Sequence, residues 1–193
     1  MKTDRKTDYD ISPLILNRWS PRSMSGEELS EEEFMPLFEA ARWAPSSYNN
    51  QHWRFIYARR NTKYWEPFFN LLVPGNQAWA KNAALLVIVI SKKTFDMNGN
   101  PARTHTFDAG AAWENLALEG SRKDLVVHGM EGFDYDKVKE LLGLSDEYEV
   151  EAMIAIGKPG KKEDLPEQMQ AYEQPSGRRP LKEIVFEGEF KVK

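Results

Sequence analysis

The chain has 193 residues, of which 41% are hydrophobic and 29% charged, and its formal net charge is −4. That suits one α+β domain with a sizeable core, and the weak negative charge disfavours both nucleic acid and an anionic membrane as partners. With no cysteine, disulfides, thiolate nucleophiles, Cys-ligated zinc and iron–sulfur clusters are excluded, so any redox chemistry must be carried by a bound cofactor.

The polar lead, residues 1–10, has no apolar signal core, and the longest apolar run, 83–90, is too short to span a bilayer; the expectation is a soluble cytoplasmic protein. Ser30-Glu31-Glu32-Glu33 has the form of a capping box, and Phe34, Leu37, Phe38 and Ala41 follow at helical spacing. Pro36 interrupts that pattern, so the helix either begins later or bends there. Residues 53–59 alternate as a half-buried strand should, and 64–72 and 76–82 read as short aromatic-rich helices separated by Pro74-Gly75. Residues 85–90 are uniformly apolar, as in a central strand covered on both faces.

A long helix is expected over 105–122, then a strand at 126–129, a helix at 134–142 stopped by Gly143, and a strand at 149–156. Residues 158–177 are polar, with three prolines, and read as a segment crossing the surface or a second subunit. Residues 181–190 regain strand character through Ile184-Val185-Phe186. The three histidines lack the spacing of a metal site, and no glycine-rich nucleotide fingerprint follows a strand.

Two short segments carry most of the chemistry. In an extended chain Arg18, Ser20 and Arg22 point the same way, and two guanidinium forks about a hydroxyl suit a phosphate, although a solvated basic edge has the same pattern. Residues 44–53, Ala-Pro-Ser-Ser-Tyr-Asn-Asn-Gln-His-Trp, set short polar side chains on a turn between helix and strand. Such a turn can connect two elements or hold a polar ring system by its edges.

With these segments in view, the sequence resembles the nitroreductase family of flavin mononucleotide (FMN) enzymes from about residue 18 to residue 190. Arg18-Trp19-Ser20-Pro21-Arg22 is similar to the family's Arg-x-Ser-x-Arg phosphate and ribityl motif, and the segment holding Pro45, Ser46, Ser47, Asn49 and Gln51 to its Ala-Pro-Ser-Ser-x-Asn-x-Gln-Pro-Trp loop. Met130-Glu131-Gly132 resembles the segment whose backbone faces flavin N5 and O4, and Gly177-Arg178-Arg179-Pro180-Leu181 the C-terminal signature whose first arginine returns to the phosphate. Asn76 matches an asparagine that contacts the ring in several relatives, or else caps the helix after Pro74-Gly75.

The resemblance implies a three-layer α+β fold with a mostly antiparallel sheet, spanning 1–193 as one domain with a polar lead (1–12) and a C-terminal arm (158–193) exchanged in a homodimer. It implies FMN at the subunit interface, with loop 45–51 reaching the other subunit's flavin. Hydride would pass from NAD(P)H through N5 to a nitroaromatic, quinone or related acceptor in a ping-pong cycle, with no protein catalytic residue and no metal. Flavin cleavage, reductive dehalogenation or flavin binding without catalysis are the other activities such a fold accommodates. Three positions depart from the pattern: His52 stands for proline, Trp79 for a lysine near the pyrimidine, and Ser176 for a basic residue near the phosphate, leaving Arg22 to stabilise the reduced ring. Trp65, Phe68, Phe69 and Trp79 fall where relatives build a lid and read as substrate contacts or dimer-interface core.

Overall fold

Four strands, β1 (Trp53–Arg59), β2 (Leu85–Lys92), β3 (Val126–Met130) and β4 (Tyr148–Gly157), make one antiparallel sheet in the order β1-β2-β4-β3. They lie within residues 3–190, the part of the chain described by a computed structural model. The centre is β2, as its unbroken apolar run requires: Leu85, Val87 and Val89 enter one core cluster, and Leu86, Ile88 and Ile90 enter the other. Each such side chain withdrawn from water contributes roughly 1.5–3 kcal/mol before the cost of ordering it.

Helices α2 (Glu31–Arg42) and α5 (His105–Arg122) cover the first face, supplying Phe34, Leu37, Ala112 and Leu116. On the other face lie α3 (Trp65–Phe69), α4 (Pro74–Ala80) and α6 (Tyr135–Leu142), so the molecule is a three-layer α+β fold. A short helix, α1 (Pro13–Asn17), precedes them, and α7 (Glu167–Gln170) follows the sheet. Ser30 and Glu33 form the expected capping box, and α2 begins at Glu31 despite Pro36, whose missing N–H leaves only the Glu32 carbonyl without a helical donor. Asp134 caps α6, and Gly143 ends it in the left-handed region at φ 59°. Gly120 lets α5 settle onto β3, because a Cβ there would stand 2.3 Å from Val127 Cγ2.

One irregularity in the sheet matters below. Val89 pairs with Ala152 but Ile90 pairs with Val150, so Glu151 is an extra residue on β4, a β-bulge.

The structure corrects three expectations. Residues 181–190 form no strand; a 3₁₀ turn spans Leu181–Glu183, the N–H groups of Ile184 and Val185 both donate to the Leu181 carbonyl, and Ile184, Val185 and Phe186 are exposed. Trp65, Phe68 and Trp79 are buried in this chain's own core over the sheet, so these three form neither a lid nor an interface core; Phe69 packs against that core and is partly exposed. Asn76 is not a cap, because Val73 occupies the N-cap of α4. No helix among the described residues is long and apolar enough to cross a membrane.

Candidate functional site

The site is built outward from the end of α1. Arg18 caps that helix in an extended conformation, and residues 19–22 follow outside any helix or strand. Arg18, Ser20 and Arg22 all line a cavity of about 350 Å³, as their alternation predicts, and Trp19 lines it as well. Arg18 donates to Ser20 Oγ at 3.3 Å. Arg178 arrives from the C-terminal arm with Ser176, so residues 160 positions apart by number share one wall.

A fourth guanidinium comes from Arg5, in the polar lead. Its Nη1 donates to the carbonyls of Leu16 (3.1 Å) and Arg18 (2.8 Å), which ties the lead to the site. Burial, with Arg178 and Arg18 adding repulsion, lowers its pKa, and its buried Nε has no hydrogen-bond partner among the described residues. Four converging guanidinium groups with an orphaned donor form a cradle for a multiply charged anion.

The Glu173 carboxylate accepts the backbone N–H groups of Arg22 and Ser23, both at 2.8 Å, and so clamps the arm to the extended segment. His128 closes the floor: its Nδ1 lies 2.8 Å from the Pro21 carbonyl, its ring packs on Trp79 at 4.5 Å, and burial pushes its pKa below the ordinary histidine value.

Ser20 also belongs to the wall of a larger cavity, about 490 Å³, so the two spaces are neighbours that share this residue. This second space lies between Ala109, Gly110 and Trp113 of α5 and Val89 and Ile154 of the sheet, and ends at Met130 and Glu131. Gly129 admits the Trp113 indole, whose Cζ2 would lie 3.2 Å from a Cβ there. Gly132 follows, and its carbonyl accepts from Asn76 Nδ2 at 2.9 Å and from the Val73 N–H at 3.1 Å. Asn76 therefore braces the 130–132 segment from behind and lines neither cavity. Tyr135 stands on the same wall, its phenol pushed up by burial and then by the carboxylates of Glu131 and Glu151.

Loop 45–51 lies elsewhere. Pro45, Ser46, Ser47, Asn49 and Gln51 line neither cavity of their own chain, and neither does Arg179. Tyr48, Asn49 and Gln51 all have φ between 51° and 53°, a region costly for residues with a Cβ. Ser46 Oγ accepts the Gln51 N–H at 3.0 Å, and buried Asp108 of α5 accepts that of Ser47 at 3.0 Å. Among the described residues, no group of three or more His, Cys, Asp or Glu side chains could hold a metal.

Sequence reasoning therefore reaches Arg18, Trp19, Ser20, Arg22, Met130, Glu131 and Arg178 on the cavity walls and misses Arg5, His128, Glu151 and Asp108. Arg5 sits in a stretch without periodicity, and the other three lie in elements that read as ordinary core.

Comparison with known proteins agrees with this geometry. The profile described as "Nitroreductase family" matches residues 15–158, and the chain belongs to that family. It is 31% identical over 174 residues to the protein DrgA of Synechocystis sp., covering 72% of this chain and 77% of the relative. The crystal structure of an oxidoreductase containing FMN superposes with a TM-score of 0.94 at 41% identity, covering 100% of this chain and 99% of the other. A Desulfovibrio desulfuricans protein solved in complex with FMN shares the fold at a TM-score of 0.72 and 24% identity, over 92% and 96% of the two chains.

Proposed function

We propose that the protein is an FMN-dependent NAD(P)H oxidoreductase that reduces a nitroaromatic, quinone or related acceptor in a ping-pong cycle. The observation that carries this reading is a basin of four arginines beside a larger cavity between α5 and the sheet, with Ser20 in the wall of both. A phosphomonoester on a tricyclic ring has those same two ends. Arg5, Arg18, Arg22 and Arg178 hold the phosphate; Trp19 and Ser20 flank the ribityl chain, and the backbone of residues 130–132 meets the reactive edge of the ring. The orphaned Arg5 Nε and the mutual repulsion of the guanidinium groups fit a dianion. The flavin supplies hydride transfer, and the chain binds it, orients it and excludes water.

The functional unit is a homodimer, with Pro45, Ser46, Ser47, Asn49 and Gln51 lent to the other subunit's flavin and the C-terminal arm exchanged. Two observations support this: the loop holds a strained shape while lining no cavity of its own chain, and Ile184, Val185 and Phe190 of the arm are exposed with Phe107 of α5. Purified protein tests the function directly. Absorbance near 450 nm is expected to bleach anaerobically with NADH or NADPH and to return with an acceptor. Bound flavin that ignores both nicotinamides refutes the hydride donor, and a monomer in sedimentation refutes the lent loop.

A further inference from the structure

Resting on that function, we propose that Glu151 is the general acid of the second half-reaction, resupplied with protons through Ser91 from His105. Glu151 lines the larger cavity although it sits in β4, and the bulge is the reason. Val150 and Met153 face the core under α3 and α6, whereas Ala152 and Ile154 line the cavity; the extra residue lets Glu151 and Ala152 face the α5 side in succession.

Behind Glu151 stands Ser91, fully buried, whose Oγ meets Glu151 Oε1 on one side and His105 Nδ1 at 2.7 Å on the other. His105 Nδ1 is 3.6 Å from Glu151 Oε1, so the hydroxyl is the bridge between them. His105, at the first turn of α5, is only partly buried, so its ring is open to water. A serine hydroxyl has one proton to donate and can accept at the same time. The chain of bonds therefore has two states: a His105 N–H donating to Ser91 and Ser91 to an ionised Glu151, or a protonated Glu151 donating to Ser91 and Ser91 to the bare His105 nitrogen.

The second state has the proton on the cavity wall. As a quinone or nitro acceptor takes hydride from the reduced flavin, its oxygen gains an electron pair and forms an O–H bond with the Glu151 proton, leaving that bond's electrons on the carboxylate. Water then protonates the bare His105 nitrogen, which restores the first state with Glu151 ionised, and as the Nδ1 proton passes to Ser91 and the Ser91 proton to Glu151 the acid is reloaded. Across the cavity, Glu131 has no hydrogen-bonded side chain behind it among the described residues, and Tyr135 keeps its proton because burial and the two carboxylates raise its pKa.

The test has two arms. In flavin-free protein labelled with ¹⁵N-histidine, Ser91→Ala is expected to move the His105 Nδ1 resonance and leave those of His52 and His128 in place; an unmoved His105 signal overturns the relay. In flavin-loaded protein, the pre-reduced enzyme is mixed with benzoquinone or with ferricyanide, which takes single electrons and no proton. For Glu151→Gln the ratio of quinone to ferricyanide rates is expected to fall roughly 100-fold, the ordinary size of a general-acid contribution. An unchanged ratio overturns the proposal, including when both rates fall together, which would assign Glu151 to cofactor placement. A wild-type protein without flavin would refute the function above, and the histidine spectra would still report on the bonds.

Discussion

Asp108 Oδ2 accepts the backbone N–H of Ser47 at 3.0 Å, joining the first turn of α5 to a loop with three residues in the left-handed region. The same oxygen faces His52 Nε2 at 3.8 Å, while His52 Nδ1 lies 2.9 Å from the Lys92 carbonyl. A buried acceptor thus fixes the loop one residue ahead of its left-handed stretch. Asp108→Ala is expected to cost about 1–3 kcal/mol and to speed amide exchange at Ser47, with a smaller loss for Asp108→Asn, which keeps an acceptor oxygen. Denaturant unfolding and hydrogen exchange measure the two effects; equal stability and exchange in all three proteins would remove the tether.

Arg5 gives a prediction specific to the anion basin. Its pKa is lowered by burial first and then by Arg178 and Arg18, so the basin carries a repulsion that a dianion relieves. Arg5→Ala is expected to weaken FMN binding about tenfold, consistent with the loss of a charge-assisted contact, and to leave riboflavin binding unchanged. Inorganic phosphate should raise the melting temperature of the wild type more than that of the variant. An equal loss of affinity for FMN and riboflavin would place Arg5 outside the phosphate end.

What the sequence revealed and what it hid divide on physical lines. The β2 strand, the capped α2 and α5 were legible because burial on two faces, a capping box and a 3.6-residue period each leave a local signature. Arg18, Ser20 and Arg22 were legible only in company, because their alternation fits a solvated basic edge as well and the loop at 45–51 with the family motif singled them out. The tail misled because Ile184-Val185-Phe186 has strand composition, yet a strand also needs a neighbour, which composition cannot supply. Glu151 was hidden for a related reason: a bulge is a property of the pairing between β2 and β4, and nothing in Glu149-Val150-Glu151-Ala152 announces the shift in register. Arg5 was hidden because its role depends on contacts with residues 11 and 13 positions away and with the distant arm.

His128 makes stability depend on pH. Burial is the main cause of its lowered pKa, with Arg22 also lowering it and the Pro21 carbonyl opposing. The folded protein therefore resists a proton that the unfolded chain accepts below the ordinary value of 6.5. Between 6.5 and the lower native pKa the unfolded state binds more protons, so stability falls as pH falls, by at most about 1.4 kcal/mol per pH unit, and the slope vanishes below the native pKa. His128→Gln is expected to flatten that part of the curve, measured by urea unfolding from pH 7 to pH 4. An unaltered slope would assign the dependence to other groups.

Gly132 is confined by the residues that hold it. A Cβ there would stand 2.8 Å from Asn76 Nδ2 and 2.9 Å from Val73 Cγ2, and both of those residues are bonded to the Gly132 carbonyl. The Asn76 amide cannot retreat without giving up its bond, so Gly132→Ala is expected to cost about 1–3 kcal/mol by overpacking and to lower flavin retention by displacing the 130–132 backbone. Asn76→Ala alone should cost about 1 kcal/mol for the lost donor, the Val73 N–H still satisfying that carbonyl. Because Asn76→Ala also removes one of the two clashing groups, the double variant is expected to be more stable than the sum of the single losses predicts. Denaturant unfolding of the four proteins completes the cycle, and strict additivity would mean that Asn76 does not confine Gly132.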